Sequence, residues 1–143
     1  MSNQLFWEDV KEGSELTPQS HQPSTRQLVQ YAGASGDFYE IHYEKDYAQG
    51  NNLDGPILHG ALKSAFLGKF MTDWAGPLGS LKKLSCQYRG MDVPGNPVYA
   101  KGTVVKKYVE NGENLVECEI WLENHEGQKT TPGYAIVSLP EKS

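Results

Sequence analysis

The chain has 143 residues, a net charge of -5 and two cysteines. This length suits a single domain, residues 1–143, with a core large enough to need no metal or disulfide. The negative charge argues against nucleic-acid binding, which uses a basic face. No apolar run approaches the roughly 18 residues needed to span a membrane, and no signal-peptide pattern opens the chain. We therefore expect a cytoplasmic protein with neither a membrane nor a nucleic-acid partner.

The first part of the chain predicts one short helix and one long loop. A brief strand is expected at 16–18. The apolar residues after Arg26 recur at helical spacing, Ser24 or Thr25 offers a cap for that helix, and Gly33 and Gly36 weaken and end it. The segment 38–55 mixes aromatic and acidic residues and closes in glycine and asparagine turns, which predicts an ordered loop with one helical turn.

The second part predicts one long helix and then a sheet. Apolar residues recur every three or four positions from Leu58 to Trp74, which is the longest helical pattern in the chain. Alternating apolar residues then predict antiparallel strands, and glycine turns such as Asn111-Gly112 favour hairpins between them. The expected strands lie at 84–88, 98–104, 115–122 and 134–139. A sheet that wraps one long helix belongs to the α+β class.

Two groups of residues in the predicted sheet have simple interpretations. Cys86 and Cys118 lie in apolar segments without a Cys-x-x-Cys pair, which predicts buried free thiols. Lys82, Lys83 and Arg89 form a local basic cluster. This cluster is either a solvated strand face or a patch for the phosphates of a carrier such as coenzyme A.

The stretch from Tyr31 to Leu62 holds the side chains with the most chemistry. Asp37 precedes His42 by five positions, and His59-Gly60 stands at the start of the long helical pattern. Residues five apart do not share a helical face. Asp37 and His42 can therefore work together only if the chain bends back between them.

An aspartate and a histidine side by side can hold a water molecule and move its two hydrogens, which suits addition or removal of water. The amide at a helix start has no partner in its own helix and sits at the positive end of the helix dipole. Gly60, with no side chain to obstruct approach, offers such an amide to the carbonyl of a thioester. The alternative is that Asp37 and His42 merely fix the loop through a hydrogen bond.

A metal site is the competing interpretation of the same residues. Asp37, His42 and His59 make a two-histidine, one-carboxylate set, but their spacing has no helical His-x-x-x-His pattern. We therefore expect no metal. His21 and His125 lie in expected turns, where solvent exposure is the default.

The string Tyr-Ala-Gly-Ala-Ser-Gly-Asp at 31–37, followed by Ile41-His42 and Leu58-His59-Gly60, resembles the MaoC-like family of (R)-specific enoyl thioester hydratases and dehydratases. Its signature runs Tyr-Ala-x-x-Ser-Gly-Asp-x-Asn-Pro-Ile-His. The order of elements also matches along nearly the whole chain. The resemblance implies a hot-dog fold, in which an antiparallel sheet wraps a central helix, and dimers formed by pairing two sheets.

The resemblance also implies residue roles. Asp37 and His42 would activate water and shuttle protons, and the Gly60 amide would form the oxyanion hole. Ser35 would support the pair. His59 belongs to the same substrate-binding end, although its place at the helix start favours a structural role. No cofactor is implied beyond coenzyme A as part of the substrate.

The chain departs from the signature where Tyr39-Glu40 replaces Asn-Pro. Proline fixes its own φ and extends the preceding residue, so the bend must be held in another way. The expected activity is conversion between a 2-enoyl thioester and an (R)-3-hydroxyacyl thioester, on coenzyme A or an acyl carrier protein. A homodimer or a heteromer with a related subunit is expected. The alternatives are a hot-dog thioesterase and a non-catalytic hot-dog subunit.

Overall fold

The computed structural model describes residues 3–143. The five strands form one antiparallel sheet in the order β1-β3-β4-β5-β2, and the helices lie mainly in the first half of the chain. Short 3-10 turns occupy Trp7–Asp9 and Glu40–His42. The regular elements are β1 (Gln19–His21), α1 (Thr25–Ser35), α2 (Lys45–Gly50), α3 (Gly60–Ala75), β2 (Ser80–Cys86), β3 (Val98–Glu110), β4 (Glu113–Asn124) and β5 (Lys129–Ser138).

The core forms between α3 and the inner face of the sheet. Leu67 and Met71 of α3 are fully buried, because they lie on the side of the helix that packs against the sheet. The strands alternate, and Asn111-Gly112 makes the β3–β4 turn with positive φ at both residues, as predicted. The arrangement is the predicted α+β fold with a sheet around one helix. The inner face of β4 is supplied by Val116, Cys118, Ile120 and Leu122.

One edge of the sheet differs from the prediction. The strand expected at 16–18 is displaced along the chain to β1. Leu16 is buried and its amide donates to the Gly102 carbonyl, at 2.9 Å, but it makes no continuous ladder. His21, expected to be exposed in a turn, lies in β1 instead. Its ring stacks on Phe66 at 4.2 Å between centroids, and burial lowers its pKa.

The ends of α3 and β2 also differ from the sequence pattern. Leu58 precedes the helix, because its amide donates to the Asp92 carbonyl at 2.9 Å and α3 begins only at Gly60. Strand β2 ends at Cys86. Tyr88, expected in the strand, therefore lies in the loop that follows it.

The cysteine predictions are half right. Cys118 is a buried free thiol, and burial raises its pKa to about 12. Cys86 is also free but only partly buried, because it lies on the edge strand, with its Sγ 3.2 Å from the Ser64 hydroxyl. His125 is exposed, as predicted.

The basic cluster lies on the surface. Lys82, Lys83 and Arg89 are all exposed. Lys82 pairs with Glu113 at 2.8 Å, and the Lys83 ammonium lies 5.6 Å from the centre of the Tyr134 ring. These contacts are compatible with a solvated strand face. Within residues 3–143, no helix combines the length and apolar character that a membrane crossing requires.

We expect Leu67→Ala to lower the free energy of unfolding by about 2–5 kcal/mol, since it opens a cavity between α3 and the sheet. Val29→Ala is the control, because Val29 is 54% exposed on α1 and should change stability by less than about 0.5 kcal/mol. Urea unfolding of both variants measures the difference. Equal midpoints for the two would contradict the placement of α3.

Candidate active site

Asp37, the carboxylate of the site, follows the end of helix α1. The Ser24 hydroxyl accepts from the Gln27 amide and caps the helix start. Gly36, with φ of 79°, ends the helix in the left-handed conformation that glycine tolerates. Ser35 accepts from the Asp37 amide at 3.1 Å. Ser35 thus lies beside the pair and fixes the backbone of Asp37.

The predicted bend between Asp37 and His42 forms without the Asn-Pro of the signature. Tyr39 has φ of -63° and ψ of 122°, which is the extended backbone that a following proline would favour. The Tyr39 amide donates to the Asp37 carboxylate at 3.3 Å, and the Tyr43 hydroxyl donates to the Phe38 carbonyl at 2.9 Å. Local hydrogen bonds therefore hold the bend.

The bend brings the carboxylate and the imidazole together. His42 Nε2 lies 3.8 Å from Asp37 Oδ2. This gap is too long for a direct hydrogen bond, but it suits a water molecule that bridges both atoms. The imidazole is buried, whereas the carboxylate is 46% exposed. Substrate and water can therefore reach the pair from the carboxylate side.

A backbone carbonyl fixes the tautomer of His42. Its Nδ1 lies 2.8 Å from the Ile57 carbonyl oxygen. Because a carbonyl only accepts, we assign the proton to Nδ1, which leaves a lone pair on Nε2 in the neutral ring. The lone pair is on the nitrogen nearer to Asp37. His42 can then accept a proton from water at that position.

His59 packs behind the pair and has no exposed surface. Its ring stacks on His42 at 3.9 Å between centroids, with 22° between the planes. Its Nε2 donates to the Asp37 carbonyl at 3.3 Å, and within the described residues its buried Nδ1 has no hydrogen-bond partner. Burial, with a smaller effect from His42, lowers the pKa of His59. These contacts favour a positioning role for His59.

Gly60 begins α3, so its amide has no acceptor within that helix. A Cβ at this position would lie 3.0 Å from the nearest carbons of the Tyr88 ring. The Tyr88 hydroxyl is 2.5 Å from the Ser64 hydroxyl, which holds the ring over the first turn of α3. The strand-like alternation of the sequence gives no sign that Tyr88 leaves the sheet.

The three residues of the alternative metal site lie together in the structure. Asp37, His42 and His59 each offer a donor atom, and these atoms lie within 4.8 Å of one another. However, imidazole nitrogens bind metals in the plane of the ring, and the two rings are stacked with nearly parallel planes. Their lone pairs do not converge on one point. The geometry therefore favours a bridging water over an ion.

Comparison with known proteins identifies the family of the chain. The family profile described as MaoC like domain matches residues 9–125. The chain belongs to the MaoC-like dehydratase family. A stretch of 123 residues, 85% of the chain, is 31% identical to fatty acid synthase subunit beta of Saccharomyces cerevisiae. The chain spans only 6% of the length of that relative.

Solved structures share the fold. The R-hydratase PhaJ1 from Pseudomonas aeruginosa superposes with a TM-score of 0.87 at 21% identity, covering 97% of this chain and 88% of that one. The (R)-hydratase from A. caviae gives 0.80 at 21% identity, with 92% and 98% covered. The ChsH1-ChsH2 complex from Mycobacterium tuberculosis gives 0.79 at 20%, with 90% and 98% covered. These similarities confirm the hot-dog fold.

The lowered pKa of His59 predicts a loss of stability in acid. A free histidine titrates near 6.5, so below about that pH the unfolded chain binds a proton that folded His59 resists. Stability should be complete above this pH and fall as the pH drops. We expect His59→Gln to show a smaller loss than the parent between about pH 7 and pH 5 in urea unfolding.

His21→Gln is the companion variant, because the pKa of His21 is also lowered by burial and contributes with the same sign. Comparison of the two variants separates the contribution of His59 to the pH dependence of stability from that of His21. If His59→Gln keeps the full pH dependence of the parent, His59 does not resist protonation in the fold.

Proposed function

We propose that the protein is a hydratase/dehydratase, a carbon–oxygen lyase that converts a 2-enoyl-CoA to an (R)-3-hydroxyacyl-CoA and back. The observation that carries this proposal is the 3.8 Å gap between Asp37 and His42, with the His42 tautomer fixed by Ile57. Membership of the MaoC-like dehydratase family supports the same class of reaction. The (R) configuration rests on the resemblance to the family.

In the hydration direction, a water molecule lies between the Asp37 carboxylate and His42 Nε2. Its oxygen attacks C3 of the enoyl thioester as one of the two side chains accepts a proton. The electrons of the C=C bond move into the thioester to form an enolate. A proton then returns to C2, so that one water supplies both the C3 hydroxyl and the C2 hydrogen. Dehydration reverses these steps.

The enolate oxygen needs a fixed donor, and Gly60 is the candidate. Its amide is one of the unpaired donors at the start of α3 and lies at the positive end of the helix dipole. Such a preorganised amide stabilises the charge that develops on the oxygen. Neither a metal nor a separate cofactor takes part in the proposed reaction. Coenzyme A enters only as part of the substrate.

The proposed partners follow from the family and the fold. The substrate is an acyl thioester carried by coenzyme A or by an acyl carrier protein. We also propose a homodimer or a heteromer with a related hot-dog subunit. The similarity to the ChsH1-ChsH2 complex supports the second option, and a non-catalytic role beside such a subunit is the main rival. The presence of both Asp37 and His42 favours a catalytic chain.

A thioesterase is the second enzymatic candidate, because the same bridging water would attack the thioester carbonyl itself. The two reactions differ in product. Hydration removes the enoyl absorbance and keeps the thioester, whereas hydrolysis releases a free thiol. Both signals are therefore to be followed on crotonyl-CoA and on longer enoyl-CoA substrates.

Asp37→Asn and His42→Ala should each lower kcat for hydration by about 100-fold or more, since each removes a proton acceptor from the water. The assay follows the enoyl absorbance on the purified protein, alone and with a related subunit if one is identified. His125→Ala is the matched control, because that histidine is exposed and should leave kcat unchanged. Retained activity in both site variants would exclude the catalytic interpretation.

The role of the Gly60 amide can be tested by removing its hydrogen. Proline is favoured at the first helical position and lacks an N–H, and His59 already has φ of -58° and ψ of 137°, which a following proline accepts. Tyr88→Ala makes room for the ring. We expect Gly60→Pro with Tyr88→Ala to have a kcat about 100-fold to 1,000-fold below its control.

The control is Gly60→Ala with Tyr88→Ala, which places a Cβ at the same position but keeps the amide hydrogen. Circular dichroism checks that both variants retain the fold. Equal kcat values in the two would show that the Gly60 amide does not bind the reacting oxygen.

A further inference from the structure

A buried ion pair lies beside the first turn of α3. Lys63 Nζ is 3.0 Å from Asp92 Oδ2, and the two side chains are 3% and 2% exposed. The same ammonium donates to the Gly90 carbonyl at 2.7 Å, and the Thr130 hydroxyl donates to Asp92 Oδ2 at 2.7 Å. This network, Lys63–Asp92–Thr130, joins α3, the loop after β2 and the start of β5. It plays no part in the proton transfers described above.

Stability alone is a weak reason for such a pair. Taking two charges out of water costs free energy that their attraction barely repays, and apolar residues of the same volume often serve as well. Within the described residues, Asp92 Oδ1 has no hydrogen-bond partner, which adds to the cost. The pair is therefore better explained by the geometry that it imposes.

The backbone of Asp92 bonds to the segment that precedes α3. Its carbonyl accepts from the Leu58 amide at 2.9 Å, so the pair anchors the segment that leads into α3. That segment also carries Ile57, the acceptor that fixes the tautomer of His42, and Gly60, the proposed oxyanion donor. The anchored segment 57–60 thus positions both the His42 imidazole and the Gly60 amide.

We propose that Lys63 and Asp92 are positioning residues, which hold the segment 57–60 so that the His42 imidazole and the Gly60 amide face the same substrate. The inference rests on the proposed function for its activity test. Small displacements at reacting atoms reduce the rate steeply, whereas a loss confined to the transition state leaves KM unchanged. The pair should therefore affect kcat far more than KM.

The test replaces both charges at once, because removal of one partner leaves the other charge buried. In Lys63→Met with Asp92→Leu, we expect a folded protein whose kcat is lower by about 10-fold to 100-fold and whose KM changes by less than about 3-fold. Lys69→Met with Asp73→Leu is the matched control. It removes an exposed ion pair farther along the same helix and should leave both constants unchanged.

Two measurements keep the test decisive. Infrared difference spectra of bound butyryl-CoA, which cannot be hydrated, should show a less polarised thioester carbonyl in the Lys63/Asp92 variant than in the control. Thr130→Val, which removes one donor to Asp92 without exposing a charge, should lower kcat by about 3-fold at constant KM. If the double variant does not fold, Thr130→Val decides the question. A parental kcat in the folded double variant, or in Thr130→Val where that variant decides, overturns the proposal.

Failure of the proposed function has a different signature. In that case the parent protein hydrates no enoyl thioester, and nitrogen chemical shifts take the place of kinetics. The signals of the Gly60 amide and of the His42 ring should move in the Lys63/Asp92 variant and stay in place in the Lys69/Asp73 control. Unmoved signals in both variants overturn the positioning role independently of any activity.

Discussion

The amides at the start of α3 cannot be satisfied within their own helix, and the surrounding structure is arranged around that constraint. The sheet covers one face of α3. Unpaired N–H donors occur only in the first turn of a helix, so the first turn is the end from which they can reach a substrate. The segment before Gly60 is tied down on both sides, by His42 on the Ile57 carbonyl and by the Asp92 carbonyl on the Leu58 amide. The unpaired amide found at the start of any helix is thus held as a fixed donor beside the Asp37–His42 pair.

The parts that sequence predicts well are those with local signals. The period of α3 and the glycine turn of the β3–β4 hairpin identify themselves over a few residues, and Asp37 and His42 lie in a compact motif. Tyr88 and Asp92 have no such signal, because their positions depend on pairing of the loop after β2 with Thr130 and on Lys63. The prediction of a turn at His21 is wrong, because a strand of three residues shows too little alternation to identify from sequence.

The replacement of Asn-Pro shows that the bend between Asp37 and His42 can form without the proline of the signature. Proline would restrict the backbone in advance, whereas here the extended conformation of Tyr39 is combined with side-chain bonds to the N–H and the C=O of the peptide group between Phe38 and Tyr39. Glu40 is exposed. The carboxylate and the imidazole are therefore brought together by hydrogen bonds whose formation costs more conformational entropy than a preset ring.

The stacked histidines, His42 and His59, have different roles. His59 donates through Nε2 to the Asp37 carbonyl, and its Nδ1 is buried without a partner among the described residues. A proton on Nδ1 would have no acceptor, and it would lie against His42 whenever that ring is charged, which is why burial and His42 both lower the pKa of His59. Only the imidazole of His42 is then free to exchange a proton with the bridging water. The neutral ring of His59 stacks on His42 and donates to the Asp37 carbonyl, so one residue positions both members of the Asp37–His42 pair.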